Sequence, residues 1–411
     1  MHPRPRETKL IAKKNRILNE IFRSGTCSRF DLARRLNINA TMVGNYVDDF
    51  LSAKLLLEDE PVASGPGRVP VPLRLNPKHG CLIGIEFEAL RARAVLCDFA
   101  GEVIAEKQAP FAAGITRDQV IEQILSLCKD LIAKAQYPVL SIGVAAPGQV
   151  DCEAGKILHY ELLPDFSEVP LLQEFQEKFA LPTFIEDNIR TVTFGELLRG
   201  KGRGSQNFLC LAARSGVGLG IIIDGKIHSG SYAMAGEAGH MVFPTPDGVK
   251  NMTQLVSATG FVDHIRSWLK SEQPNSDRKS LLDQGEQLSL QAIVQAAEHG
   301  DQLLQQQLSE LGSHLGLLAS NLANLFAPEK IILTGEVANC SPIVRQSMQQ
   351  SFHQYTLPQI LKNTYLEDGA LGEMAGALGA AWMGFGRHLP EDEVTVSHQL
   401  KKNKDSTHSS S

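Results

Sequence analysis

The residues richest in chemistry lie in two short stretches. Arg214 to Met241 reads RSGVGLGIIIDGKIHSGSYAMAGEAGHM, a glycine-rich turn, an apolar strand, a polar hairpin, then Glu237 and His240 three apart. Such a glycine turn can bring backbone N–H groups against a phosphate. It can equally serve close backbone packing, or a positive φ that only glycine adopts freely. Ile185 to Glu196, IEDNIRTVTFGE, sets a carboxylate beside an amide at Asp187 and Asn188. Side chains of these types accept from and donate to ligand hydroxyls. Each pair also has a structural use: Glu237 with His240 as a brace for its loop, and Asp187 with Asn188 as a cap for a helix starting near Thr191.

The elements that must position these groups begin near Gly80. CLIGIEFEALRARAVLCDFAGEVIAEKQ alternates as antiparallel strands, with a turn at Phe99–Gly101. A helix over about 117–135, the strand VLSIGVAAPGQVD, a helix near 170–179, the strand PTFIEDN and the helix TVTFGELLRGK follow. The theme restarts near residue 207 with FLCLAARSGVGLGIIIDGKI, continues through helices spanning about 287–325 and the strand IILTGEV, and closes with a helix around 371–385. Two related α/β lobes are the expectation, with a ligand cleft between them. The spacing of Leu308, Leu311, Leu315, Leu318 and Leu322 suits core and dimer packing. Residues 271–286 read as a surface insertion and the tail, 388–411, as disordered.

The net charge of −6 hides an asymmetry. Residues 1–78 hold 14 Lys/Arg against 8 Asp/Glu, a net +6, and the remainder holds 26 against 38, a net −12. A basic head on an acidic body suits polyanion binding by the head. Ile17, Leu18, Ile21 and Phe22 share one helical face; Ser28 is a natural N-cap for SRFDLARRL, with Asp31 at N3. After a turn at Asn37–Asn39, a third helix keeps its apolar stripe inward and exposes Asn39, Thr41, Gly44 and Asn45 near its start. Short polar groups there suit the base edges of duplex DNA. Asp48 and Asp49 would repel phosphate, so only the first turns should enter the groove. The segment around SGPGR reads as a β-wing with Arg68 at its tip. The head is therefore a winged helix-turn-helix, with Ser28, Asn39, Thr41, Asn45 and Arg68 as candidate DNA-binding residues.

The pieces GVAAPGQVD, GVGLGIIIDGKIHSG, GEAGH and LGLLASNLANLFAPEKIILTGEV resemble the ROK family of repressors and sugar kinases. With the winged helix in front, the chain looks like the repressor branch over roughly residues 14–385. The resemblance implies a two-lobe actin-like/hexokinase-type (ribonuclease H-like) body over 79–387. It also implies that Asp187, Asn188, Glu237 and His240 face sugar hydroxyls.

The resemblance also implies kinase requirements that this chain fails to meet. A phosphate loop written Asp-x-Gly-Gly-Thr is replaced by Glu86-Phe87-Glu88-Ala89-Leu90, where Glu88 would repel a nucleotide. Alignment through Glu196 puts Asn188 on the catalytic Asp, and an amide is no general base, although the adjacent Asp187 could substitute. The adenosine-side Gly-Gly turn has become Thr334-Gly335-Glu336. The structural Zn²⁺ of many relatives needs a His and three Cys; HMVFPTPDGVKNMTQLVSATG keeps His240 and has no cysteine, and the sugar-contacting Glu of relatives falls on Leu255.

The expectation is thus a sugar-responsive regulator with a catalytically inactive kinase fold, no cofactor and no metal. It would act as a homodimer on a pseudo-palindromic operator. Lobe closure over a sugar would alter the spacing of the two heads. The alternatives are a working sugar kinase with a DNA-binding head, and a regulator that senses a protein partner. Seven scattered cysteines without a Cys-x-x-Cys pair, and no apolar run of membrane-spanning length, point to the cytoplasm.

Overall fold

A computed structural model describes residues 5–60, 71–271 and 276–388. The wing tip with Arg68 and the tail from 389 lie outside the described residues. The chain divides into two compact units, one running to Arg199 and resuming at Met374, the other Gly200–Glu373.

In the first unit the head comprises α1 (Pro5–Ser24), β1 (Thr26–Ser28), α2 (Arg29–Leu36), α3 (Ala40–Ser52), β2 (Leu56–Glu58) and β3 (Pro72–Leu75). Ile17, Leu18, Ile21 and Phe22 are at most 2% exposed and form its core with Leu32, Val43 and Val47. Asn37, in the left-handed conformation, ends α2, and Asn39 caps α3, which fixes the turn between them. β3 lies between β1 and β2, antiparallel to both, in a three-stranded sheet.

The rest of this unit contains β4 (Cys81–Phe87), β5 (Arg91–Asp98), β6 (Val103–Pro110), α4 (Arg117–Ile132) and β7 (Val139–Ala146). It continues through β8 (Gln149–Asp151), β9 (Lys156–His159), β10 (Ser167–Val169), α5 (Leu171–Phe179), β11 (Thr183–Asp187) and α6 (Asn188–Arg199). Its main sheet has the order β11-β7-β4-β5-β6, with β4, β5 and β6 antiparallel and β7 and β11 parallel to β4. α6 starts three residues earlier than Thr191, because the Asp187 side chain caps it there.

The second unit contains β12 (Phe208–Ala213), β13 (Val217–Ile223), β14 (Lys226–Ile227), β15 (Val242–Thr245), β16 (Gly248–Asn251), α7 (Met252–Val256) and α8 (Ala258–Ser271). It ends with α9 (Ser276–Leu282), α10 (Leu290–Glu298), α11 (Gln302–Phe326), β17 (Lys330–Thr334), α12 (Pro342–Tyr355), α13 (Pro358–Leu361) and β18 (Tyr365–Asp368). Its main sheet, β14-β13-β12-β17-β18, repeats the order and strand directions of the first: an antiparallel meander plus two parallel strands. This is the duplicated ribonuclease H-like arrangement expected from the sequence. α14 (Ala375–His388) then rejoins the first unit.

Two expectations change. Leu308, Leu311, Leu315, Leu318 and Leu322 are at most 3% exposed and sit in the core of the second unit with Val344, Met348 and Phe352 of α12. Their stripe is consumed within the chain, so they offer nothing to a dimer. The segment 271–286 is not merely a surface insertion: α9 packs its Leu281, 6% exposed, into the same core.

Candidate functional site

Asp187 ends β11 beside Ala146 of β7, and α6 begins at the next residue. One Asp187 oxygen accepts the Arg190 N–H at 2.9 Å, which makes the side chain a helix cap. Behind it, fully buried Glu186 accepts from Arg190 Nε at 2.8 Å, from the Asp187 N–H at 3.0 Å and from the Cys152 thiol at 3.2 Å. Desolvation raises the Asp187 carboxyl above its ordinary range, against the pull of the Arg190 guanidinium. Burial opposes the Arg190 charge, yet Asp187 and Glu186 hold it above its usual value. Asn188 is half-buried, its carbonyl accepts from the Thr191 hydroxyl at 2.7 Å, and its side-chain amide bonds to none of the described residues. The capping role anticipated for this pair falls to Asp187.

The hairpin between β4 and β5 is filled by the protein's own charges. Glu86, Glu88 and Arg93 are 0%, 6% and 5% exposed. The Arg93 guanidinium lies 2.9 Å from Glu88 and 3.9 Å from Glu86, its cross-strand neighbour. The Glu86 carboxylate rests against Gly376 in the first turn of α14, so tightly that a Cβ there would collide with it. A helix N-terminus attracts anions, and this one already has a carboxylate. The Ala89 N–H, which a phosphate loop would offer to its ligand, donates to the Tyr160 hydroxyl at 3.0 Å.

In the second unit the β12–β13 turn is closed by the Arg214 N–H donating to the Gly216 carbonyl at 2.8 Å. The positive φ expected of the GVGLG glycines is absent: Gly216, Gly218 and Gly220 are not among the left-handed residues. It occurs instead at Gly236, φ +103°, where a Cβ would strike the Leu219 carbonyl and where the loop bonds to β13 through Leu219 N–H to Gly236 C=O, 3.0 Å. That close approach sets out Glu237 and His240 on a short turn. Their side chains are 50% and 63% exposed and 3.9 Å apart, a loose pair at the surface of its unit. Buried Arg214 lies against Gly335, whose added Cβ would come within 2.6 Å of Arg214 Cγ, so a side chain crowds the Thr334–Glu336 turn.

The residues after His240 do not fit a structural zinc site. They fold into the β15–β16 hairpin, and the Met252 N–H closes its base onto the Met241 carbonyl at 2.9 Å. Among the described residues no group of three or more His, Cys, Asp or Glu could hold a metal ion.

In the head, Thr41 and Asn45 are exposed one turn apart on α3 and share a face. Exposed Asn39 uses its oxygen to cap α3, accepting from the Thr41 and Met42 N–H groups, which leaves its NH₂ for a partner. Ser28, 9% exposed, accepts from the Asp31 N–H and donates to the Asp31 carboxylate, so its task is to place α2. Asp48 and Asp49 are paired with Arg29 at 3.0 Å and Lys14 at 2.6 Å, which offsets the repulsion expected of them. Sequence reasoning passed over exposed Phe30 and Arg34, stacked at 5.9 Å, because a lone aromatic and a helical Arg carry no pattern.

The sequence matches the family model described as ROK family over residues 82–385. It is 27% identical over 376 residues to the xylose repressor of Caldicellulosiruptor bescii, covering 89% of this chain and 94% of that protein. A solved ROK family transcriptional regulator, a homolog of the E. coli MLC protein, superposes with a TM-score of 0.74 at 22% identity, over 93% of this chain and 97% of that one. A ROK family glucokinase from Streptomyces griseus, solved with glucose and AMPPNP, superposes with a TM-score of 0.63 at 23% identity; the match covers 99% of the kinase and 74% of this chain. These structures share the actin-like/hexokinase-type fold of the body. No described helix is long and apolar enough to cross a membrane.

Proposed function

The chain belongs to the ROK family, and on that premise we propose that it is a sugar-responsive, DNA-binding transcriptional repressor of carbohydrate genes whose kinase-type body no longer phosphorylates. The observation that carries this reading is the occupied hairpin at Glu86–Arg93–Glu88, joined to a winged helix in the same chain. A nucleotide would have to displace a buried ion cluster and evict Glu86 from the start of α14. Breaking such a cluster costs several kcal/mol, and two carboxylates would then face the incoming phosphates.

D-xylose is the first ligand to test, because relatives over nearly the whole length are named xylose repressors. Asn188 and, separately, Glu237 are proposed to bond sugar hydroxyls, with Asp187 positioning Asn188 and His240 steadying Glu237. Thr41, Asn45 and the Asn39 amide are proposed to meet base edges, and Arg68 a phosphate. A cytoplasmic homodimer on a pseudo-palindromic operator completes the proposal. A ligand shifts the DNA equilibrium only by its differential affinity for the two states, and the heads supply the readout.

The test is a thermal-shift and calorimetric screen of pentoses, hexoses and amino sugars, each with and without Mg·ATP, alongside an assay for sugar-dependent ADP release. Stabilisation by one sugar, indifferent to ATP and without ADP release, supports the proposal. Binding at about a hundred times Kd adds about 2.7 kcal/mol. Sugar-dependent ADP release would return the kinase reading, with Asp187 as base.

A further inference from the structure

The helix that starts at the proposed sugar contacts ends on the DNA-binding head. α6 runs from Asn188 to Arg199, about 17 Å at 1.5 Å per residue. Arg190, Thr191, Val192, Thr193, Gly195, Glu196, Leu197 and Leu198 are buried along it. It packs backbone to backbone on α14, where a Cβ at Gly379 would collide with the Thr191 carbonyl. Such a rod has little room to bend. A close-packed interior transmits a displacement instead of absorbing it.

At its far end the Arg199 guanidinium draws together α1, the β5–β6 turn and α14. It donates to the Phe22 carbonyl in the last turn of α1 at 3.2 Å, to the Gly101 carbonyl at 3.3 Å and to the Ala100 carbonyl. It also pairs with exposed Glu102 at 2.9 Å. Its centre lies 4.6 Å from the Phe22 ring and 5.2 Å from the Trp382 ring, within cation–π range of both. Phe22 in turn stacks on Phe385 of α14 at 4.3 Å, and Trp382 donates to the Gly101 carbonyl at 3.0 Å. Gly101, φ +83°, has no space for a Cβ, which would sit 2.7 Å from the Phe22 ring and 3.1 Å from Arg199 Nη2. A cation at the C-terminal end of α1 is also where the helix dipole favours one. Phe22 is thus bonded through its carbonyl and stacked through its ring.

We propose that Arg199 is the coupling residue of the protein, clamping the C-terminal turn of α1 so that movement of α6 at Asp187–Asn188 is delivered to the DNA-binding head. The proposal rests on the sugar-sensing reading for its input, and on the contacts of Arg199 alone for its output. Arg199 touches neither the proposed sugar contacts nor α3; it is a positioning residue.

The test uses the full-length protein, D-xylose as probe, and a duplex selected by the wild-type protein from a random library. In Arg199→Met, D-xylose affinity stays within about twofold. The ratio of duplex Kd with and without D-xylose falls towards one, from a wild-type value expected at about 5–150. Without any ligand, amides in the last turn of α1 exchange with deuterium faster than in the wild type. Arg199→Lys, which keeps the cation but loses the planar fork, gives an intermediate ratio and guards against a misfolded Met variant. An unchanged ratio together with unchanged α1 exchange overturns the clamp, as does an equal rise in duplex Kd with and without the sugar. A wild-type protein indifferent to every sugar defeats the sensing reading instead, and the ligand-free exchange of α1 then decides the clamp by itself.

Discussion

Replacing Arg93 with Met removes the cation facing Glu86 and Glu88 while keeping most of the side-chain volume. The pair distances are 2.9 and 3.9 Å and all three residues are at most 6% exposed, so the loss is that of a buried ion pair. Removing one partner of a buried ion pair costs about 3–5 kcal/mol. With a urea slope near 2 kcal/mol/M, the unfolding midpoint of the first unit should fall by about 2 M. Trp382, 4% exposed in α14, reports that unit by fluorescence once Trp268 of the second unit is replaced by Phe. The double variant Arg93→Met with Glu88→Met should recover much of the loss, since apolar replacement of a buried pair is often close to neutral. A single variant within about 1 kcal/mol of the wild type would refute the buried cluster. The hairpin would then be an open loop, and the ground for excluding nucleotide would go with it.

Glu237→Ala should abolish the sugar response by calorimetry while leaving duplex binding and the melting temperature nearly unchanged, as expected for a half-exposed side chain; a variant that fails to fold would assign Glu237 the bracing role. Asn45→Ala should cost about 1–3 kcal/mol on the selected duplex and relax the preference at one base position, whereas a uniform loss on all duplexes would point to a phosphate contact. His314 on α11 has its basicity lowered, first by burial and further by Lys250 and His264, against the pull of Glu310. The unfolded chain therefore binds the proton more readily, and stability of the second unit should fall as the pH drops through about 6.5, the ordinary value. His314→Gln should flatten that slope between pH 7 and 5.5, measured by Trp268 fluorescence, and an unaltered slope would remove His314 as its source.

Where repetitive pattern reports burial, the sequence was legible. The 3.6-residue stripe at Val43, Tyr46, Val47 and Phe50 and the repeated strand-turn-strand openings led to the head and to both lobes, because periodicity follows directly from which face meets the core. The resemblance supplied the functional class for the same reason: GEAGH and the Glu86–Leu90 departure are local strings. Periodicity does not say what a buried face meets. The five leucines of α11 were legible as apolar, yet only the tertiary structure pairs them with α12 and denies them to a dimer. Likewise Asp187 and Asn188 are neighbours in sequence, but only Asp187 caps α6, a division set by which side chain reaches the Arg190 amide.

By itself the sequence determined the elements, their order, the absence of a glycine pair from Glu86–Leu90 and the charge division between head and body. All of these depend on residue type and short spacing. The tertiary structure alone decided what became of the groups so placed: that Arg93 pairs with Glu86 and Glu88 at the β4–β5 hairpin, and that Arg199 bonds the last turn of α1 across 177 residues of chain. Contacts of that kind are made by folding over long separations, and a lone Arg at a helix end leaves no pattern in the string that encodes it.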